Sequence, residues 1–207
     1  MALDEDKRER IINAAVKEFA YKGYKNASTN EIVKEANISK GLLFHYFNNK
    51  KSLFMFLLEY SGEVFQNEFY SQLKYDKTDI ITMFRQIVLL KINLIRKHPD
   101  LYDFLISSTT DNSSEIKQEI ESKQKSVLED SYKRLLPYMD TSGYSGYKDG
   151  LDIKCVSEII IWAIQGFGNS ELEKLKQDPA HKKHFDLNAI MADFDEYIEL
   201  LKNAFYK

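Results

Sequence analysis

Between Lys40 and Lys51 the chain reads KGLLFHYFNNKK, which sets three lysines, a histidine and a tyrosine beside a cluster of phenylalanines. Ammonium groups bind phosphate oxygens, and imidazole and phenol groups add hydrogen bonds. Carried on one face of a short helix, such a set can grip a polyanion and reach the edges of bases. Positive charge is concentrated around it. From Tyr21 to Lys51 six lysines stand against two glutamates, a local balance of +4 in a chain of formal charge −3, so the remainder carries −7. A lysine-rich helix alone is ordinary solvated surface. The elements that must hold these residues give the pattern a narrower meaning.

Ser28 and Glu31 have the spacing of a capping box, in which hydroxyl and carboxylate satisfy free backbone donors at a helix start. Ile32, Val33 and Ala36 give the helix that follows one apolar side. Asn37 comes where the chain must turn, and asparagine tolerates left-handed backbone. Ile38 tucks under the corner. Ser39 is placed to cap a second helix from Lys40, with Leu43 and Phe47 inward one turn apart. Lys40, Gly41, Leu42, His45 and Tyr46 then face outward. A glycine near a helix start costs about 1 kcal/mol relative to alanine, which makes sense where another backbone or a nucleic acid approaches closely. Two short helices joined by a tight turn, with the second presented outward, form a helix-turn-helix that can enter the major groove of DNA.

The run from Ile11 to Phe54 resembles the DNA-binding domain of the TetR family of bacterial transcriptional regulators. The resemblance is carried by a first amphipathic helix ending in Phe19, Gly23 and Tyr24, by Ser28, Thr29, Ile32 and Ala36, and by Ser39, Lys40, Gly41, Leu43, His45, Tyr46 and Phe47. Lys50 and Leu53 open a fourth helix. It implies an all-α chain of about nine helices. Residues 1–53 would form a three-helix DNA-binding domain and residues 54–207 a larger helical domain for effector binding and dimerisation. It implies DNA contacts at Thr29, Ser39, Lys40, Gly41, Leu42, Phe44, His45, Tyr46 and Lys50. Thr29, Tyr46 and Lys50 would hold phosphates, and Lys40, Gly41, Leu42 and His45 would face base edges. The chain departs from the family at Leu42, where threonine is frequent, and at Phe44, where tyrosine is usual. Each change removes a hydroxyl, and Leu42 could instead touch a thymine methyl.

The rest of the chain reads as helices. At 207 residues, 43% hydrophobic, with 8 glycines and 3 prolines, it can hold a sizeable core and shows few signals of strand-rich folds. A long helix is expected from Asn49 toward Leu73, and an amphipathic one from Thr78 to Lys97, stopped by His98-Pro99. A short helix follows at Leu101 to Ser107, a loop at Ser108 to Ser114, and a charged helix at Ser114 to Pro137. Tyr138 to Gly150 reads as a linker, and Ile153 to Gly168 and Leu187 to Tyr206 as two final helices. The resemblance implies that these last two pair with their copies in a second subunit through Val156, Ile160, Ala163, Ile164, Phe194, Ile198, Leu201 and Phe205. The alternative is that these side chains close the monomer's own core. It also implies an effector cavity near Tyr60, Phe65, Phe69, Phe84, Tyr102, Phe104, Trp162 and Phe167. Aromatics at helical spacing are also ordinary core, but together the set suits a flat or greasy ligand.

Signals of catalysis are weak. His181 and His184 have a helical metal-binding spacing with no third ligand nearby, and no GxSxG, P-loop or dinucleotide fingerprint occurs. The one cysteine, Cys155, permits no intrachain disulfide and reads as a buried filler in a reducing compartment. The charged N-terminus is unlike a signal peptide, and the longest apolar run, Ile159 to Ile164, is too short to span a bilayer. The expectation is a cytoplasmic regulator without cofactor, enzymatic activity or membrane partner. It would be a repressor that binds a palindromic double-stranded operator as a homodimer and is released by a small molecule. The alternative is a helical small-molecule-binding or scaffold protein without sequence-specific DNA binding.

Overall fold

A computed structural model describes residues 5–74, 80–135, 146–177 and 186–207. Nine helices account for nearly all of these residues: α1 (Glu5–Asn26), α2 (Thr29–Glu35), α3 (Lys40–Phe47), α4 (Lys50–Gln72), α5 (Ile80–Lys97), α6 (Pro99–Thr110), α7 (Lys117–Leu135), α8 (Ile153–Gln177) and α9 (Leu187–Phe205). The protein is all-α. Among the described residues no helix is long and apolar enough to cross a membrane.

Two compact units divide the chain, residues 1–72 with 93–131, and residues 73–92 with 132–207. In the first unit one apolar core joins α1 to α4 with α6 and the start of α7. Ile11, Phe19, Tyr24, Ile32, Leu43, Leu53, Phe54 and Leu57 pack with Phe104, Ile116 and Ile120. Phe54 meets both Phe19 and Phe104 edge-on at 5.1 Å between ring centres, an arrangement that aromatic quadrupoles favour. The helix-turn-helix therefore shares its interior with α6. In the second unit Val156, Ile160 and Ile164 of α8 are buried with Phe194 and Ile198 of α9. Asp195 of α9 accepts two hydrogen bonds from the Arg85 guanidinium, at 2.9 and 3.0 Å.

Several boundaries differ from the sequence expectation for local reasons. α6 begins at Pro99, because proline's fixed φ and missing N–H suit the first turn of a helix. It continues to Thr110, through residues expected to form a loop. The hydroxyls of Ser107, Ser108, Thr109 and Thr110 each donate to the carbonyl three residues back, so the polar run satisfies its hydroxyls without leaving the helix. α8 runs through Gly166 and Gly168 to Gln177, with Phe167 packed on Phe194 and Tyr197. Of the expected linker, residues 136–145 lie outside the described residues. Its end is not loose chain, because Lys148 N–H donates to the Phe205 carbonyl and Lys207 N–H to that of Gly146, both at 2.9 Å.

Candidate nucleic-acid interface

The turn between α2 and α3 is built as its residue types require. Asn37 has φ 51°, Ile38 N–H donates to the Val33 carbonyl at 3.0 Å, and the Ser39 hydroxyl accepts from Leu42 N–H at 3.2 Å. Leu43 is 1% exposed and anchors α3 to the core. What remains outward is the face that the sequence predicts. Ser39, Lys40, Gly41 and His45 are exposed, and Leu42, Phe44 and Tyr46 are half-buried. A Cβ on Gly41 would meet nothing within 4 Å, so packing within the chain does not demand glycine there. Phe44 lies beneath the Lys40 ammonium, 5.8 Å from ring centre to nitrogen, and His45 and Tyr46 meet edge-on at 5.1 Å.

One sequence assignment is corrected here, and Lys50, expected at a phosphate, is seen in contact with the chain itself. Ser28 does cap α2 by position, but its side chain makes no capping hydrogen bond. Its backbone N–H donates instead to Glu18 of α1 at 2.8 Å, so Glu31 forms no box with it. Lys50 points back onto the chain: its ammonium stands 4.9 Å from the centre of the Tyr24 ring and donates to the Lys25 carbonyl at 3.2 Å. Burial lowers its pKa, against the pull of Glu115, Asp111 and Glu18. Thr29, half-buried, opens α2. Sequence reasoning missed Asn48, at φ 58°, and Asn49, whose side chain accepts from Ser52 N–H at 2.8 Å and so caps α4. An asparagine just before a helix is itself a legible cap signal. It also missed Glu18 and Asp111, which lie far in sequence from the residues they hold.

The aromatic set is dispersed. Phe104 is fully buried with Phe19 and Phe54 in the first unit's core, so it is core rather than cavity wall. Tyr60 stacks on Phe56, with Arg8 above it, and Phe69 is buried beside Tyr70. Phe65 and Tyr102 are half-buried and within 6.5 Å of each other, and burial pushes the Tyr102 hydroxyl's pKa up. In the second unit Phe84 is half-buried, whereas Trp162 is 64% exposed.

The residues expected at a subunit interface are mostly interior. Val156, Ile160, Ile164, Phe194 and Ile198 are all buried within the chain's own second unit. Ala163, Leu201 and Phe205 are half-buried. Among the described residues, the large apolar side chains left facing outward on these helices are Ile153, Ile159, Trp162, Tyr197 and Leu200. Trp162 and Tyr197 also edge a cleft of about 470 Å³ that is lined by Phe167, Glu171, Lys174, Asp193 and Glu196. Cys155 is exposed, not buried. The charge of Asp152 pushes its thiol pKa up, which disfavours the reactive thiolate. His181 and His184 lie outside the described residues.

Residues 11–55 match the model of bacterial regulatory proteins of the tetR family. The uncharacterized HTH-type transcriptional regulator YuxN of Bacillus subtilis is 46% identical over 55 residues, which are 27% of this chain and 19% of that protein. YxaF, another uncharacterized HTH-type regulator of Bacillus subtilis, is 36% identical over 63 residues, 30% of this chain and 33% of its own. The chain thus spans between a fifth and a third of the length of these curated relatives. In overall fold it is similar to the regulator FadR of Bacillus subtilis solved with stearoyl-CoA, at 19% identity and a TM-score of 0.59, covering 94% of this chain and 97% of that one. It is likewise similar to SmeT solved with triclosan, at 16% identity and a TM-score of 0.64, covering 97% and 92%.

Proposed function

We propose that this chain, which belongs to the tetR family of bacterial regulatory proteins by its residues 11–55, is a repressor that binds a palindromic operator as a homodimer and lets go when a small molecule binds. The relatives it matches are transcriptional regulators, not enzymes, and the chain is no enzyme. The observation that carries the DNA-binding part is the outward face of α3. Lys40, Gly41, Leu42, His45 and Tyr46 stand on a helix anchored from behind by Leu43 and capped by Ser39. In this reading Lys40, Gly41, Leu42 and His45 meet base edges. Thr29, Ser39 and Tyr46 hold phosphates, and the α2 N-terminus adds its free amides. Phe44 steers Lys40, and Lys50 supports the turn that carries α2.

A single α3 reads few bases, and a symmetric pair reads a palindrome with half-sites about one helical turn or a multiple apart. Ile159, Trp162, Tyr197 and Leu200 form the face that supports pairing, since exposed apolar side chains grouped on neighbouring helices are uncommon on a monomer. The effector reading is supported by half-buried Phe65 and Tyr102 and by solved relatives in fold that hold stearoyl-CoA and triclosan. A largely apolar effector is the class proposed. Release requires that it prefer one separation of the two recognition helices.

Selection of bound duplexes from a random pool tests the reading. Enrichment of a palindrome is expected, and binding by Lys40→Ala should show a salt slope shallower by about one unit. Failure to enrich any sequence would leave the helical scaffold alternative standing. Thermal-shift measurements with long-chain acyl-CoAs and chlorinated phenols test the effector class, and no stabilisation by either would count against it.

A further inference from the structure

We propose that Asp111 is a positioning residue for the helix-turn-helix, its carboxylate fixing the backbone turn from which α2 departs. The inference rests on the DNA-binding reading above. Asp111 follows the last residue of α6, and its Oδ2 accepts a hydrogen bond from the Tyr24 backbone N–H at 2.6 Å, 87 residues away in sequence. Its Oδ1 accepts from Ser113 N–H at 2.9 Å. Both oxygens are engaged, so one side chain ties the α6–α7 loop to the turn inside α1 at Gly23, where the helix is broken by a kink before its last residues to Asn26.

The turn is shaped to receive that carboxylate. Gly23 has φ 69°, backbone that glycine adopts at little cost, and a Cβ added there would stand 3.3 Å from Asp111 Oδ2. The lack of a side chain and the unusual φ therefore serve the same contact. Tyr24 is buried, stacked with Phe19 and edge-on to Phe54, so its backbone has little freedom to follow another partner. Lys50 closes the turn from the α4 side, over the Tyr24 ring and onto the Lys25 carbonyl. Lys51 pairs with Glu119 near the start of α7. The far end of the turn is held by Glu18 at Ser28 N–H. Burial by itself would raise the Asp111 carboxyl, yet the hydrogen bonds of Ser113 and Tyr24 and the charge of Lys50 hold it below its ordinary value. It is an anion at neutral pH, and hydrogen bonds to an anion are the stronger kind. α2 begins only three residues beyond Asn26, so the angle of the turn sets the angle of α2 and with it α3.

Asp111→Asn tests this. Asparagine is nearly isosteric but offers one acceptor oxygen where two N–H groups point, so one bond is lost while the volume is kept. Two quantities are measured on the full chain. One is the exchange rate of the Tyr24 amide in the free protein. The other is affinity for the duplex selected by the wild type, set beside affinity for a random duplex. The expected result is Tyr24 exchange faster by about tenfold and specific affinity weaker by about tenfold, as for loss of a charge-assisted hydrogen bond. Non-specific affinity and its salt slope should stay unchanged, because no phosphate contact has gone. Unchanged exchange overturns the proposal. So does faster exchange with unchanged specific affinity, and so does equal loss on both duplexes. Should Asp111→Asn not fold, Gly23→Ala, which crowds the same oxygen from the other side, takes its place with the same expected and overturning results. If the wild type selects no duplex, the DNA-binding reading has failed and the inference with it. Wild-type selection with an indifferent variant fails the inference alone.

Discussion

In the proposed reading, Leu42 and Asp111 act on DNA binding in two different ways. Leu42 stands half-buried on the outward side of α3, where a branched apolar side chain can meet a thymine methyl but no phosphate. Leu42→Thr should therefore change which duplexes are enriched from a random pool while leaving the salt slope as it was. Asp111 acts through the fold. Its carboxyl is held below the ordinary value, so its contribution to stability is complete above about pH 4, the unfolded carboxylate value, and is lost as the pH falls through the lower folded value. Urea unfolding of wild type and Asp111→Asn should thus converge as the medium is acidified below about pH 4. The two residues were unequally legible. Leu42 follows from helical spacing within eight residues of Ser39 and Phe47, whereas nothing near Asp111 in sequence points to Tyr24, because the hydrogen bond spans 87 positions.

At the scale of elements, the helix-turn-helix could be drawn from its own residues. Asn37 takes φ 51° where the chain turns from α2 into α3. Asn37→Ala should destabilise the protein by about 1 kcal/mol, because alanine keeps the Cβ that left-handed backbone penalises but lacks the short polar side chain that eases this conformation in asparagine. Asn37→Gly should be near neutral, and the two together, compared by urea unfolding, isolate the turn from any side-chain contact. Elsewhere elements ended where local composition pointed the wrong way. Ser108 to Thr110 looked like a loop, yet the hydroxyls return to their own helix. Gly168 looked like a terminus, yet α8 passes through it to Gln177 because Phe167 packs on α9.

For the molecule as a whole, the proposed reading turns on the pairing of two copies. Leu200 is 68% exposed and Trp162 64%, so charged substitutions there lose little folding energy, within about 0.5 kcal/mol for a solvent-facing site. Leu200→Glu and Trp162→Glu should give a folded protein that sediments as a monomer and no longer prefers a palindrome over a single half-site. If both variants sediment like the wild type, the outward face of α8 and α9 is not where the copies meet. Ile160→Glu would be uninformative about assembly, since Ile160 is fully buried within its own unit and a charge there unfolds the core.

The sequence by itself determined that the chain is helical, that a helix-turn-helix lies between Thr29 and Phe47, and which side of α3 looks outward. Caps, turn formers and the 3.6-residue period act within a few positions and leave their mark in the string. Tertiary structure decided which of two apolar stripes on α8 and α9 is spent on the chain's own core, that Phe104 belongs with Phe19 and Phe54, and that Asp111 and Lys50 converge on the turn at Gly23. Those outcomes depend on which faces meet across long loops, and burial assigns them only once all the competing surfaces are in place.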